Sequence, residues 1–190
     1  MNTFDFDKTI FYPDSSVTFI KWYLHKHPLK RLWWIPMTLA AFLLFKLHII
    51  SKERFKSCGF IFIRKIDDID ALMNEFWDEH EGQIAKWYLD IRRPDDLIIS
   101  ASPEFVVKPM TDRLGVELIA TPMDKRTAYL EPGKNCYGEE KVRRFYERHP
   151  GAVTEAFYSD SFSDAPMARI AQSAYLIVDK GQTPIPWPDK

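Results

Sequence analysis

Four short segments of this 190-residue chain carry side chains that could do chemistry together. Asp5-Phe6-Asp7-Lys8-Thr9 sets two carboxylates two residues apart. Ser100-Ala101-Ser102 is a run of small residues with two hydroxyls. Lys141 follows Gly138-Glu139-Glu140, and Ser159-Asp160-Ser161-Phe162-Ser163-Asp164 adds two more carboxylates. Four carboxylates in one place repel one another unless a cation joins them. Oxygen-only donors of this kind suit a hard divalent ion such as Mg²⁺. A lysine and a small hydroxyl suit phosphate oxygens. The set points to metal-assisted phosphoryl transfer, in which one aspartate attacks phosphorus and forms an aspartyl-phosphate. The other aspartate protonates the leaving alkoxide, then takes a proton from the hydrolytic water.

Each segment alone also has an ordinary structural use. Asp-x-Asp occurs in turns, Ser100 could cap a helix, Lys141 could be a solvated helix residue, and Asp160 and Asp164 could cap the helix that follows. Their weight comes from where the surrounding elements put them. Thr3–Phe6 reads as a strand ending at the first acidic pair, Asp96–Ser102 as a strand ending in the hydroxyls, and Val153–Ser159 as a strand ending at Asp160. Val116–Ala120 and Ala174–Val178 read as further strands. Helices are expected from Pro103, over Tyr137–His149 and over Ala165–Gln172. This alternation predicts an α/β fold with a Rossmann-like parallel sheet covered by helices on both faces, whose ligands sit beyond the carboxyl ends of the strands.

The block from Asp14 to Arg93 breaks the alternation with helical patterns. Asp14-Ser15-Ser16 resembles an N-cap cluster before Val17, Phe19, Ile20 and Trp22. Helices are expected over 33–50, more weakly over Lys52–Lys65, where Cys58–Ile63 is β-rich in composition, and over Asp67–Leu89. Pro36 is expected to break the first turn of the helix over 33–50. The resulting organisation is a discontinuous core, 1–13 and 94–190, with a helical cap, 14–93, inserted between the first two motifs. The tail from Thr183 reads as irregular.

The motifs, in this order, resemble those of the haloacid dehalogenase (HAD) superfamily. Asp5-Phe6-Asp7-Lys8-Thr9 is similar to its first motif, Ile98-Ile99-Ser100 to its second, Lys141 to its third and Ser159–Asp164 to its fourth. The position of the insertion resembles the helical-cap branch that includes phosphoserine phosphatase (subfamily IB). The resemblance implies roles: Asp5 as nucleophile and Mg²⁺ ligand; Asp7 as general acid/base with its main-chain carbonyl on the metal; Ser100 and Lys141 as holders of the phosphoryl group. It further implies Asp160 as a direct Mg²⁺ ligand and Asp164 as a residue orienting Lys141 or a metal-bound water. Phosphoserine phosphatase itself carries Ser-Gly-Gly and Gly-Asp-Gly-x-Asn-Asp where this chain has Ala101, Ser102 and Ser161 in place of glycines. A serine substrate is therefore in doubt. Asp14 stands where that enzyme has an acid meeting the substrate's amino group, and it is equally a helix N-cap. Arg64 and Lys65 could reach a second anionic group on a substrate. Arg92-Arg93 reads as the hinge between cap and core.

The expected activity is a phosphoric monoester hydrolase in which the cap chooses the leaving group and excludes water. The substrate would be a small phosphorylated metabolite. The alternatives are a lipid phosphate handled at a membrane surface, in the manner of a phosphatidylglycerophosphatase, a non-catalytic phosphate-binding module, and transfer to an acceptor other than water. The run from Leu32 to Phe45 has no charge, and Trp33-Trp34 opens it. It reads as a cap helix, a subunit interface or a peripheral membrane contact over 32–50; as a true span it is short, with Lys46 and His48 at an awkward depth. Lys26, Lys30 and Arg31 lie beside it and read as a solvated loop or as a contact with anionic lipid.

Composition narrows the classes. With 26 Lys and Arg against 27 Asp and Glu, the net charge of -1 argues against nucleic-acid binding through a global positive field. An apolar fraction of 46% supplies a core and excludes a disordered chain. Cys58 and Cys136 have no metal-type spacing and read as reduced thiols, and no signal peptide is visible, so a cytoplasmic location is expected. His25-x-His27 is interrupted by Pro28, which argues against a metal role there. The sequence is silent on oligomeric state.

Overall fold

The computed structural model describes residues 1–188. Six strands form one sheet. At its centre is β1 (Thr3–Phe4), flanked by β2 (Leu97–Pro103) and β4 (Ala156–Ser159). β3 (Glu117–Thr121) lies outside β2, while β5 (Ser173–Val178) and then β6 (Thr183–Pro186) lie outside β4. β1 to β5 are parallel, and β6 runs antiparallel to β5. The α/β, Rossmann-like reading holds. The chain builds outward from β1 to β3, then crosses to β4 on the other side. That reversal opens a crevice beyond the carboxyl ends of β1 and β4. The backbone N–H of Asp5, just past β1, donates to Tyr158 O at 2.8 Å, which fixes the first motif at the crevice.

β2 is apolar in consecutive positions because both sheet faces are covered. Ile98 packs with Phe4, Phe105 and Val106, whereas Leu97 and Ile99 pack with Phe145, Phe157 and Met167 on the other face. The second face is covered by α7 (Glu139–Arg148) and α8 (Ala165–Ile170), and α6 (Glu104–Leu114) covers the first.

Five helices lie between β1 and β2: α1 (Ser15–Lys26), α2 (Pro28–Lys46), α3 (Lys52–Phe60), α4 (Ile69–His80) and α5 (Lys86–Ile91). Their inner residues Phe19, Phe60, Met73, Phe76 and Trp77 belong to the same apolar cluster as Phe4, Phe6 and Phe11 beside the sheet.

Several expectations change. α2 begins at Pro28, a favourable first-turn position, and runs unbroken through Pro36. Contacts of its inner side with α3, namely Trp34 on the Gly59 carbonyl and Phe45 on Phe55, hold both halves in one rod. It is not a buried helix, since only Ala41 among its residues is buried. The β-rich stretch after Cys58 ends α3 and continues as a 3-10 turn, Ile61–Lys65. The expected helix over Asp67–Leu89 divides at Glu81–Gln83 into α4 and α5. The tail forms β6 despite Pro184 and Pro186, because an edge strand has one side on which no N–H is needed. No helix among the described residues is long and apolar enough to cross a membrane.

Candidate active site

The loop after β1 supplies Asp5 and Asp7. Lys8 takes φ 58, and its N–H is offered to the Phe11 and Pro13 carbonyls at 2.7 and 3.0 Å, so the loop curls back tightly. Thr9 braces it: its hydroxyl donates to Asp5 Oδ2 at 3.3 Å and accepts the Asp160 N–H at 3.0 Å. The first and fourth motifs are thus joined through one threonine.

Lys141 enters from the first turn of α7. That helix starts at Gly138, which has φ 59 and ψ -128, a conformation that only glycine adopts without strain. The Lys141 ammonium is buried and donates to Asp5 Oδ1 at 2.6 Å and to Asp164 Oδ2 at 2.7 Å. Asp164 Oδ2 also accepts from Ser159 Oγ at 2.8 Å, while Asp164 Oδ1 is buried without a partner. Burial acts to lower the Lys141 pKa, but the two carboxylates outweigh it and raise it, so the lysine is a fixed cation.

Burial pushes the Asp5 carboxyl up to about 7 against the pull of Lys141, with Asp164 and Asp7 adding to the rise. Asp7 is pushed up to about 6 by burial and then by Asp14, while hydrogen bonds from Ser102 and Ser15 pull it back. Those bonds are the Ser15 N–H to Asp7 Oδ1 at 2.6 Å and the Ser102 hydroxyl to Asp7 Oδ2. Burial also raises Asp160.

These groups line a cavity of about 450 Å³. Asp5, Asp7, Lys141, Asp160 and Asp164 form one wall, and Val17, Ile20, Trp34, Phe55 and Phe60 from the inserted helices form an apolar one. Asp14 lines it too while capping α1, accepting the Val17 N–H at 2.9 Å. The structure places two of the expected site residues off the cavity wall. Ser100 is fully buried and accepts the Ser102 N–H at 3.0 Å; Ala101 and Ser102 form the wall in its place. Arg64 is exposed and lines a separate surface depression with Ser51 and Tyr129, because the 3-10 turn carries it away from the crevice. Arg92 donates to Leu114 O and Arg93 pairs with Glu155, so both serve the packing at the far end of β2.

Lys56 was not among the residues singled out. It reaches from α3 into the cavity wall and donates to Ala101 O at 2.6 Å and Asn135 Oδ1 at 2.7 Å. Burial, reinforced by Lys52, brings its pKa down to about 8. Its sequence signal is a lysine four residues before the buried Phe60, on the inner face of α3. Ser16 was also missed as a site residue; its hydroxyl meets that of Ser102 at 2.8 Å.

The donor set fits a hard cation by type, being all oxygen, with an unpartnered buried oxygen on Asp164. No three His, Cys, Asp or Glu side chains among the described residues form a ready cluster for a metal.

The sequence model of the haloacid dehalogenase-like hydrolases matches residues 3–169. No curated protein matches the chain. Solved structures do. A Bordetella pertussis Tohama I protein of unknown function is 20% identical, with TM-score 0.73, over 92% of this chain and 87% of its own. A phosphoserine phosphohydrolase-like protein of Francisella tularensis is 14% identical, with TM-score 0.58, over 94% and 88%. A HAD family hydrolase of Salmonella enterica serovar Typhi is 13% identical, with TM-score 0.61, over 90% of this chain and 60% of that one. At these identities the structures speak to the fold alone. The sequence match spans every motif described above, and the chain belongs to the haloacid dehalogenase-like hydrolase family.

Proposed function

We propose that the protein is a Mg²⁺-dependent phosphatase that hydrolyses a phosphate monoester through an aspartyl-phosphate on Asp5. The observation that carries this reading is the buried Asp5–Lys141–Asp164 set on the cavity wall. Lys141 occupies Asp5 Oδ1, and Asp5 Oδ2 is left with one long bond from Thr9. Oδ2 attacks phosphorus, the bond from phosphorus to the alkoxide breaks, and Asp7 gives its proton to the alkoxide. Water then attacks the same phosphorus and gives a proton to Asp7, and phosphate leaves as the Asp5 carboxylate is restored. An acid/base group with a pKa near 6 is suited to both transfers close to neutral pH. Lys141 balances charge on the phosphoryl oxygens and on Asp5.

Asp5, Asp160 and the main-chain carbonyl of Asp7 would hold Mg²⁺. A carbonyl as third ligand agrees with Asp7's carboxylate being engaged by Ser15 and Ser102. When bound, the ion supplies neutralisation of phosphate and carboxylate charge. Residues 14–93 act as the cap that selects the leaving group. Its apolar wall of Val17, Ile20, Trp34, Phe55 and Phe60 favours a second reading, in which the leaving group is that of a lipid phosphate. Activity that depends on detergent or liposomes would support this; indifference to lipid would count against it.

The test is hydrolysis of p-nitrophenyl phosphate and of a broad phosphate panel with Mg²⁺, with EDTA and in Asp5→Asn. Turnover should need the ion and fall by about 10³-fold or more in the variant. Turnover that survives in Asp5→Asn would overturn the mechanism. A silent panel in a protein that still binds phosphate and Mg²⁺ would replace the phosphatase with a binding module.

A further inference from the structure

We propose that the outer face of α2 docks on an anionic lipid bilayer. The helix has two sides at helical spacing. Trp34, Thr38, Ala41 and Phe45 form the inner one. The Trp34 indole N–H donates to Gly59 O at 2.9 Å, Phe45 stacks on Phe55 with centroids 5.4 Å apart, and Trp34 and Thr38 line the active-site cavity. The opposite side carries Leu32, Leu39, Leu43 and, just past the helix end, Leu47, which are 75, 58, 61 and 67% exposed. A helix on the surface of a water-soluble domain carries polar residues on that side. A row of exposed leucines marks a contact surface.

Charge decides what covers it. From Ser15 to Lys52 there is no Asp or Glu, while six Lys and Arg occur. Lys26 is neutralised by Glu75 and Glu79 of α4. Lys46, at the carboxyl end of α2 and on the leucine side, is exposed and has no carboxylate partner among the described residues, whereas Lys30 lies on the inner side, turned onto Tyr23. A second copy of this face would bring it a further cation and, from residues 15–52, no carboxylate. An anionic bilayer satisfies both halves of the surface, with leucines in the acyl boundary and Lys46 at the headgroups. Trp33, exposed near the start of the helix, is a residue type enriched at that boundary. The helix is about 28 Å long, and no helix among the described residues can cross, so α2 lies in the plane of the interface. Its inner side walls the cavity, so docking brings the phosphate site beside the headgroups. That consequence rests on the phosphatase reading; the contact does not.

The experiment is co-sedimentation with phosphatidylcholine vesicles, with and without phosphatidylglycerol, at low and high salt. It uses the wild type, Asp5→Asn and the double variant Leu39→Glu/Leu43→Glu. The wild type and Asp5→Asn should pellet with anionic vesicles, and less so at high salt. The double variant should lose about tenfold or more of its partitioning while retaining the wild-type melting temperature and p-nitrophenyl phosphate turnover. Asp5→Asn separates the two readings, since it removes turnover and keeps vesicle binding. Failure of the wild type to pellet, or equal pelleting of the double variant, would overturn the docking surface. A wild-type dimer in solution that the double variant dissociates, with no vesicle binding, would assign the face to a second copy.

Discussion

Each oxygen of Asp7 accepts a hydrogen bond, one from the Ser15 N–H and one from the Ser102 hydroxyl, and Ser16 in turn positions Ser102. Ser102 stands where the phosphoserine-phosphatase pattern has glycine, so this hydroxyl is a feature of the present chain. A donor stabilises the charged carboxylate and works against the burial that pushes Asp7 up to about 6. Removing it therefore raises the pKa further. In the proposed mechanism, Ser102→Ala would leave less Asp7 deprotonated at neutral pH to take the proton of the hydrolytic water. We expect kcat to fall about tenfold, in line with loss of one hydrogen bond to a charged group, with KM little changed. The acid limb of the kcat–pH profile should move to higher pH. Superimposable profiles would show that Ser102 does not set Asp7. The sequence showed the carboxylates because each follows a strand in consecutive residues. It hid the side chains that turn toward them from elsewhere. Lys56 lies 45 residues from Ala101, which it holds, and only the folded α3 brings them together.

At the scale of elements, α7 exists in this place because of the residue that caps its start. Gly138 takes φ 59 and ψ -128, and the helix that follows delivers Lys141 three residues later. A Cβ there would lie 3.7 Å from Ser163 O, an ordinary contact, so the cost of a side chain is conformational rather than steric. Gly138→Ala should lose about 1–3 kcal/mol of stability, measurable by urea unfolding, and turnover should fall further than stability explains as Lys141 leaves its carboxylates. Unchanged turnover would mean the loop adapts without moving the lysine. Local signals of this kind made the core elements readable: caps, strand-end turns and alternating strand and helix. β6 was not readable, because two prolines speak against a strand and only its place at the sheet edge permits one. Nor was the course of α2, whose Pro36 is carried by contacts with α3 that the sequence does not display.

At the scale of the molecule, the inserted helices and the sheet share one core. Trp77 of α4 is fully buried, donates its indole N–H to Val106 O of α6 at 2.8 Å, and packs edge-on to Phe6 and Phe11 at the first motif, with centroids 5.8 and 5.0 Å away. An insertion with its own core could unfold by itself; one with a fully buried tryptophan lodged against the loop that carries Asp5 and Asp7 cannot do so without opening that loop. Five of the six tryptophans lie in residues 14–93, so fluorescence follows the insertion. Cys136 is buried in the cluster on the opposite sheet face, so its reactivity toward a thiol reagent follows the sheet. In a Cys58→Ser background the two probes should report one midpoint in urea. Trp77→Ala should cost about 3–5 kcal/mol, which for a chain of this size lowers Tm by about 10 °C. It should move both midpoints together and reduce turnover even where the protein remains folded, since Phe6 sits between Asp5 and Asp7. A fluorescence transition that precedes exposure of Cys136 would show two independently stable parts, and would locate substrate selection in a cap free to move against the core.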